Sequence, residues 1–270
     1  MMPPAQQITR LEKDTKYISD TLLMQHHMGL GDHIHLVGLV RHAILDLGFK
    51  NVIVFCKSRN YETVKRLYSN DNEVQVISVG DPQNVTDEVN FVLKYISNMS
   101  QACVYFRLGY ENYPWAQGSF IGYPSYVFYD MAKVSRNIRW SHFKFDRDIA
   151  EQTRVYKKLN PNDEPYIFVH DDIARGFEIP IESVNAVSSL PTDRLVIKND
   201  MSENVLDFAL LLENASEIHC MGSSIFCFAD LLSLGDTKCF FHDIRSPSIF
   251  PVKKSLEEDT KNDWTWVGYP

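Results

Sequence analysis

Residues 21–48 change their hydrophobic period once, at a glycine turn, and this change constrains the fold more than any other stretch. Thr21-Leu-Leu-Met24 is a continuous apolar run of the length of a buried strand. Gly29-Leu-Gly31-Asp32 follows. Beyond it Ile34, Val37, Leu39, Val40, Ile44, Leu45 and Leu47 recur at helical spacing, with Gly48 as the expected stop. Strand, glycine turn and helix form the first half of a nucleotide-type α/β unit. The helix turns its unsatisfied amide groups toward whatever enters the turn. Asp32 is expected at the helix cap, where a carboxylate serves structure and also stands beside an anion site.

The alternation continues down the chain. Strands are expected at 51–56, 74–79 and 102–106, with helices at 61–68 and 85–98 between them. Such spacing implies right-handed crossovers and a parallel sheet. Residues 1–16 are polar and read as loosely packed. Residues 108–126 are aromatic and glycine-spaced, which suits an ordered functional loop. A helix over 126–134, a short extended piece over 138–145 and a helix over 146–159 come next. Asn160-Pro-Asn-Asp-Glu-Pro165 then reads as a linker. A second series follows it: strands at 166–170, 194–198, 217–221 and 238–241, and helices at 204–212, behind Ser202 as cap, and at 225–234. The expected fold is therefore α/β, with two Rossmann-like parallel-sheet domains facing across a cleft. Residues 1–160 form the first and 161–254 the second, and the 255–270 tail packs back on the first.

A net charge of -8 argues against a nucleic-acid binder that works by neutralising phosphates, although it leaves room for a local pocket that takes one diphosphate. No apolar signal core opens the sequence and no run reaches membrane-spanning length, so a cytoplasmic protein without a transmembrane segment is expected. Cys56, Cys103, Cys220, Cys227 and Cys239 show no paired zinc spacing and read as buried free thiols.

In open α/β sheets ligands bind beyond the carboxyl ends of the strands, so the turns there are where chemistry is sought. In the first half these are residues 25–32, 57–60 and 107–126, and in the second 171–177, 198–202 and 222–224. Gly29 and Gly31 let backbone approach an anion. Gly222, Ser223 and Ser224 repeat that logic with two hydroxyls, and an ordinary helix cap would look the same. In His170-Asp-Asp-Ile-Ala-Arg175, the arginine fork suits a diphosphate, and Lys198 ends a neighbouring strand. Asp171 and Asp172 either hold a metal or pair with Arg175. His26, His27, His33, His35 and His42 lack metal-site spacing and read as capping or core residues, with His26 or His27 placed to touch substrate. Gly29-x-Gly31 fails as a dinucleotide fingerprint because its third position is Ile34.

Gly-Leu-Gly-Asp-His-Ile after the first strand resembles the Gly-Asp-x-Ile turn of heptosyltransferase-like enzymes, a branch of the GT-B glycosyltransferases. The second half, with Ile-Phe-Val-His-Asp-Asp and Glu-Ile-His-Cys-Met-Gly-Ser-Ser-Ile-Phe, is similar to the donor half of that superfamily and to fucosyltransferases. The resemblance implies metal-independent transfer of a sugar from a nucleotide-diphosphate sugar to a glycan hydroxyl, with no further cofactor. It puts the general base on Asp32, beside His27, and donor contacts on Arg175, Lys198, Ser223 and Ser224. Tyr110, Tyr113, Trp115 and Tyr123 suit the stacking of an acceptor sugar, or else fill a core. The family's Asp-Thr-Gly turn is replaced here by Gly-Ser-Ser, which leaves the donor's sugar and nucleotide open. A pyruvyl-type transferase and a non-catalytic nucleotide- or glycan-binding protein share the layout and stay as alternatives.

Overall fold

In the computed structural model the described residues are 4–108, 124–244, 256 and 260–269. The proposed acceptor residues Tyr110, Tyr113, Trp115 and Tyr123 lie outside them. The chain divides into two compact units, Met1–Asp146 and Arg147–Pro270.

The first unit is built on a five-stranded sheet of order β1-β5-β2-β3-β4, comprising β1 (Ala5–Ile8), β2 (Thr21–Gln25), β3 (Asn51–Cys56), β4 (Val74–Ser78) and β5 (Cys103–Arg107). All its pairings are parallel. The central strand β2 is buried along its whole length, as a strand covered on both faces must be. Helix α1 (Leu30–Leu45) follows the glycine turn and is buried continuously from His33 to Arg41. Helices α4 (Pro124–Ala132) and α5 (Ile138–Ser141) pack against it. Gly38 makes the α5 contact possible, since a Cβ there would lie 2.5 Å from the Ile138 carbonyl oxygen. Helices α2 (Tyr61–Leu67) and α3 (Val85–Ser97) complete the crossovers.

The second unit carries a sheet of order β10-β9-β8-β6-β7, again parallel throughout. Its strands are β6 (Tyr166–Val169), β7 (Leu195–Lys198), β8 (Glu217–Cys220), β9 (Lys238–His242) and β10 (Trp264–Val267). Its helices are α6 (Ile149–Leu159), α7 (Ile181–Val187), α8 (Ala209–Glu213) and α9 (Ser224–Ala229). The five cysteines are free and buried. No helix among the described residues is long and apolar enough to cross a membrane.

Several expectations are corrected. Residues 5–8 form an edge strand, because a parallel ladder to Cys103–Phe106 satisfies their backbone while their side chains stay largely exposed. Residues 138–141 are helical rather than extended, held against the small face of α1 at Gly38. The units divide at Asp146/Arg147 and not at residue 160, because α6 packs on α8. The supposed linker is a tight loop closed by Asn160, whose side chain donates to the Glu164 carbonyl (2.9 Å) and accepts from its N–H (3.0 Å). Residues 264–267 of the tail extend the second sheet as its edge strand, pairing with β9. Asn204, not Ser202, caps the segment before α8.

Strand order also fixes where a ligand can enter. In the first sheet the chain steps outward from β2 through β3 to β4, then returns to the other side of β2 as β5. In the second it steps from β6 to β7, then continues as β8 on the other side of β6. Each reversal leaves a crevice between two strand ends where the following loops diverge. The crevices lie beyond Gln25 and Arg107 in one unit, and beyond Val169 and Cys220 in the other.

Candidate functional site

At the first crevice, an open hollow of about 230 Å³, its solvent mouth included, is lined by Gln25, His26, His27, Val85, Glu88, Arg107 and Leu108. Strand ends supply Gln25 and Arg107, and the first turn of α3 supplies Glu88. Tyr105 donates its hydroxyl proton to the Gln25 side-chain oxygen. The Glu88 carboxylate meets the Lys57 ammonium at 2.8 Å, with both side chains largely shielded from water.

His27, in the lining of this hollow, leads into the glycine turn. Gly29 caps α1 with an extended backbone (φ -73°, ψ 148°) and no side-chain capping bond. Asp32 therefore sits in the first helical turn instead of at the cap, where its charge still complements the helix dipole. Its Oδ2 accepts from Nδ1–H of His27 at 2.8 Å, and both side chains are partly exposed. Gly29 leaves room for this pair, for a Cβ there would lie 2.7 Å from Asp32 Oδ2 and push the carboxylate aside. Next to this pair, His26 Nδ1 contacts the His27 carbonyl oxygen at 2.7 Å and His26 Nε2 faces His33 Nδ1 at 3.2 Å. Burial lowers the pKa of His26 to about 4 and that of His33 well below its ordinary value.

At the second crevice, the Ser223 hydroxyl lies 3.2 Å from His170 Nδ1 and accepts from the Phe226 N–H as the cap of α9. This contact joins the ends of the two strands that flank the reversal. His170 is buried, so it supports the serine turn from below. Asp171 and Asp172 are buried carboxylates with exposed cationic partners. Asp171 accepts from the Ile179 N–H (2.8 Å) and pairs with Lys198 at 2.6 Å. Asp172 pairs with Arg175 at 2.8 Å. The Lys198 and Arg175 side chains are 52% and 59% exposed, so each keeps a solvent-facing charge that can turn to an anion. The contact with Asp171 raises the pKa of Lys198, which stays a cation at neutral pH. Among the described residues, no group of three or more His, Cys, Asp or Glu side chains stands ready to hold a metal ion.

The structure thus brings His27, Gly29 and Asp32 together, with Gly31 in the same turn. It groups His170 with Ser223 and, at the ends of neighbouring strands, Asp171 with Lys198. Arg175 points to Asp172 in a separate ion pair. Sequence reading missed Glu88, which pairs with Lys57 and shares the hollow with Gln25. Lys57 and Glu88 lie on separate elements, and only the crossover of α3 over the sheet brings the carboxylate back to the strand end.

No family model matches the sequence, and no curated protein sequence matches it significantly. Solved structures do match. A glycosyl transferase family 9 protein from Veillonella parvula aligns over 97% of this chain and 88% of its own, with a TM-score of 0.57 at 10% identity. The ADP-heptose LPS heptosyltransferase II of E. coli aligns over 92% and 90%, with a TM-score of 0.52 at 10% identity. The chain shares its fold with these two proteins. At this identity the likeness speaks for the fold alone.

Proposed function

We propose that this chain transfers a sugar from a nucleotide-diphosphate sugar to a hydroxyl of a glycan acceptor, without a metal ion or further cofactor. The observation that carries the reading is the Gly29–Asp32 turn at the first strand reversal, where a carboxylate is steadied at 2.8 Å by His27, a residue that also lines the hollow. Support comes from the shared fold, since the E. coli neighbour is named for an ADP-sugar donor.

In this reading Asp32 takes the proton of the acceptor hydroxyl as its oxygen attacks the anomeric carbon. The bond from that carbon to the diphosphate breaks, and the nucleoside diphosphate leaves with the bonding pair. Lys198, Arg175, Ser223, Ser224 and the backbone at Gly222 offset the charge on the leaving group. His27 keeps Asp32 oriented by donating to it. Gly29 and Gly31 let the backbone approach the donor, and His170 holds the serine turn. Tyr110, Tyr113, Trp115 and Tyr123 are assigned to acceptor stacking on sequence grounds.

The test is a thermal-shift panel of nucleoside diphosphates, phosphoenolpyruvate and buffer, followed by acceptor-dependent release of nucleoside diphosphate. One diphosphate at about 100 times its Kd should stabilise the protein by about 2.7 kcal/mol. Asp32→Asn should lower kcat by about 10²–10⁴-fold and leave donor affinity unchanged. Stabilisation by phosphoenolpyruvate alone would point to pyruvyl transfer instead. Tight diphosphate binding with no transfer would make the chain a binding protein.

A further inference from the structure

His26 and His33 are absent from the chemistry above, yet they form a buried chain directly behind it. A carbonyl oxygen only accepts, so the 2.7 Å contact with the His27 carbonyl fixes the proton of His26 on Nδ1. Burial keeps the ring neutral at pH 7, with its pKa lowered to about 4. Nε2 of His26 then holds a lone pair, and His33 Nδ1–H is the donor across 3.2 Å. Nε2 of His33 is left buried with no hydrogen-bond partner. The two rings meet edge to face with centroids 4.3 Å apart.

An apolar side chain at position 33 would avoid the orphaned His33 Nε2, but it would leave the buried Nε2 of His26 without its donor. A polar ring kept there at a cost calls for a role other than packing. Its one partner supplies that role. His26 grips the same carbonyl oxygen that accepts from the Gly29 N–H at 2.9 Å, and that carbonyl belongs to His27, the partner of Asp32. Two neighbouring histidines therefore tie the loop after β2 to the first turns of α1 at positions 32 and 33, one tie on the surface and one in the interior.

We propose that His26 and His33 are positioning residues, a tautomer-locked pair that fixes the His27 peptide and so aims the His27 ring at Asp32. The inference rests on the reading of Asp32 as the base for its catalytic consequence, but its geometric part stands without it.

Two variants test it. His33→Leu removes the donor to His26, while His33→Asn keeps an N–H where Nδ1 stood. Histidine side-chain ¹⁵N NMR should show His26 and His33 of the unaltered protein protonated on Nδ1. His33→Leu should shift the His27 ring resonances away from their Asp32-bound values, and His33→Asn should restore them. In the transfer assay, His33→Leu should lower kcat by about ten- to a hundredfold at unchanged KM, with His33→Asn recovering most of the loss. Nε2-protonated His26, or His27 resonances indifferent to position 33, would overturn the proposal whether or not transfer is ever detected. So would a His33→Leu protein that loses thermal stability yet keeps full kcat. Intact NMR coupling with no transfer from any donor would instead count against the proposed reaction and leave the positioning pair standing.

Discussion

The two strand reversals are furnished in opposite ways. At the first, Asp32 is set among fixed groups: a sixteen-residue helix, two histidine ties and a glycine whose missing side chain makes room for the carboxylate. At the second, the helix has six residues, and the cations reach out from buried carboxylates into solvent. A group that must take a proton from one particular hydroxyl gains from fixed geometry, because small misplacements are costly. A group that must gather and release a diphosphate gains from charges that can exchange partners. The contrast suits the proposed base in the first unit and the proposed anion site in the second.

Gly29→Ala should break the contrast most sharply. The added methyl would lie 2.7 Å from Asp32 Oδ2 and in ordinary contact with His27 Nδ1 at 3.7 Å, so the carboxylate swings off His27 while the backbone stays. We expect kcat to fall by about a hundredfold with little change in Tm; an equal fall in both would mean that the turn, and not the carboxylate, had been disturbed. Lys198→Met should act on the other side only, raising donor KM by about tenfold, the size of one lost hydrogen bond to a charged group. Steady-state kinetics that instead showed kcat falling at constant KM would place Lys198 in the chemical step.

Acid should distinguish the units least. Burial lowers His26 in the first unit and His219 in the second to about 4, and His242 to about 3. Each folded pKa lies below the unfolded value near 6.5, so unfolded chains bind the extra protons. The stabilising effect is complete above about pH 6.5 and is lost as pH falls toward 4, by about 1.4 kcal/mol per pH unit for each ring. Denaturant titrations at pH 7, 6 and 5 would expose a flat profile, which would exclude neutral buried histidines in the folded state.

The sequence made the glycine turn at 29–32, the long helix after it and most sheet strands legible, because continuous apolar runs and helical spacing persist there. It concealed three things that only long-range contacts decide. Residues 5–8 and 264–267 look unlike core strands, since edge strands need burial on few sides; their ladders to Cys103–Phe106 and Cys239–His242 make them strands. The Asn160–Pro165 stretch has a linker's composition, but the Asn160 side chain closes it locally. His26 and His33 are seven residues apart across a turn, a spacing with no meaning until the path of the turn is known. For the same reason the pairing of these histidines could not be read from their spacing.

The position of β1 has a consequence for how the chain is made. Ala5–Ile8 emerges from the ribosome long before Cys103–Phe106, so it waits for about a hundred residues of synthesis before it has a neighbour to lie beside. Its short length and polar glutamines suit that wait, because a longer, greasier segment would stick to whatever nascent chain came first.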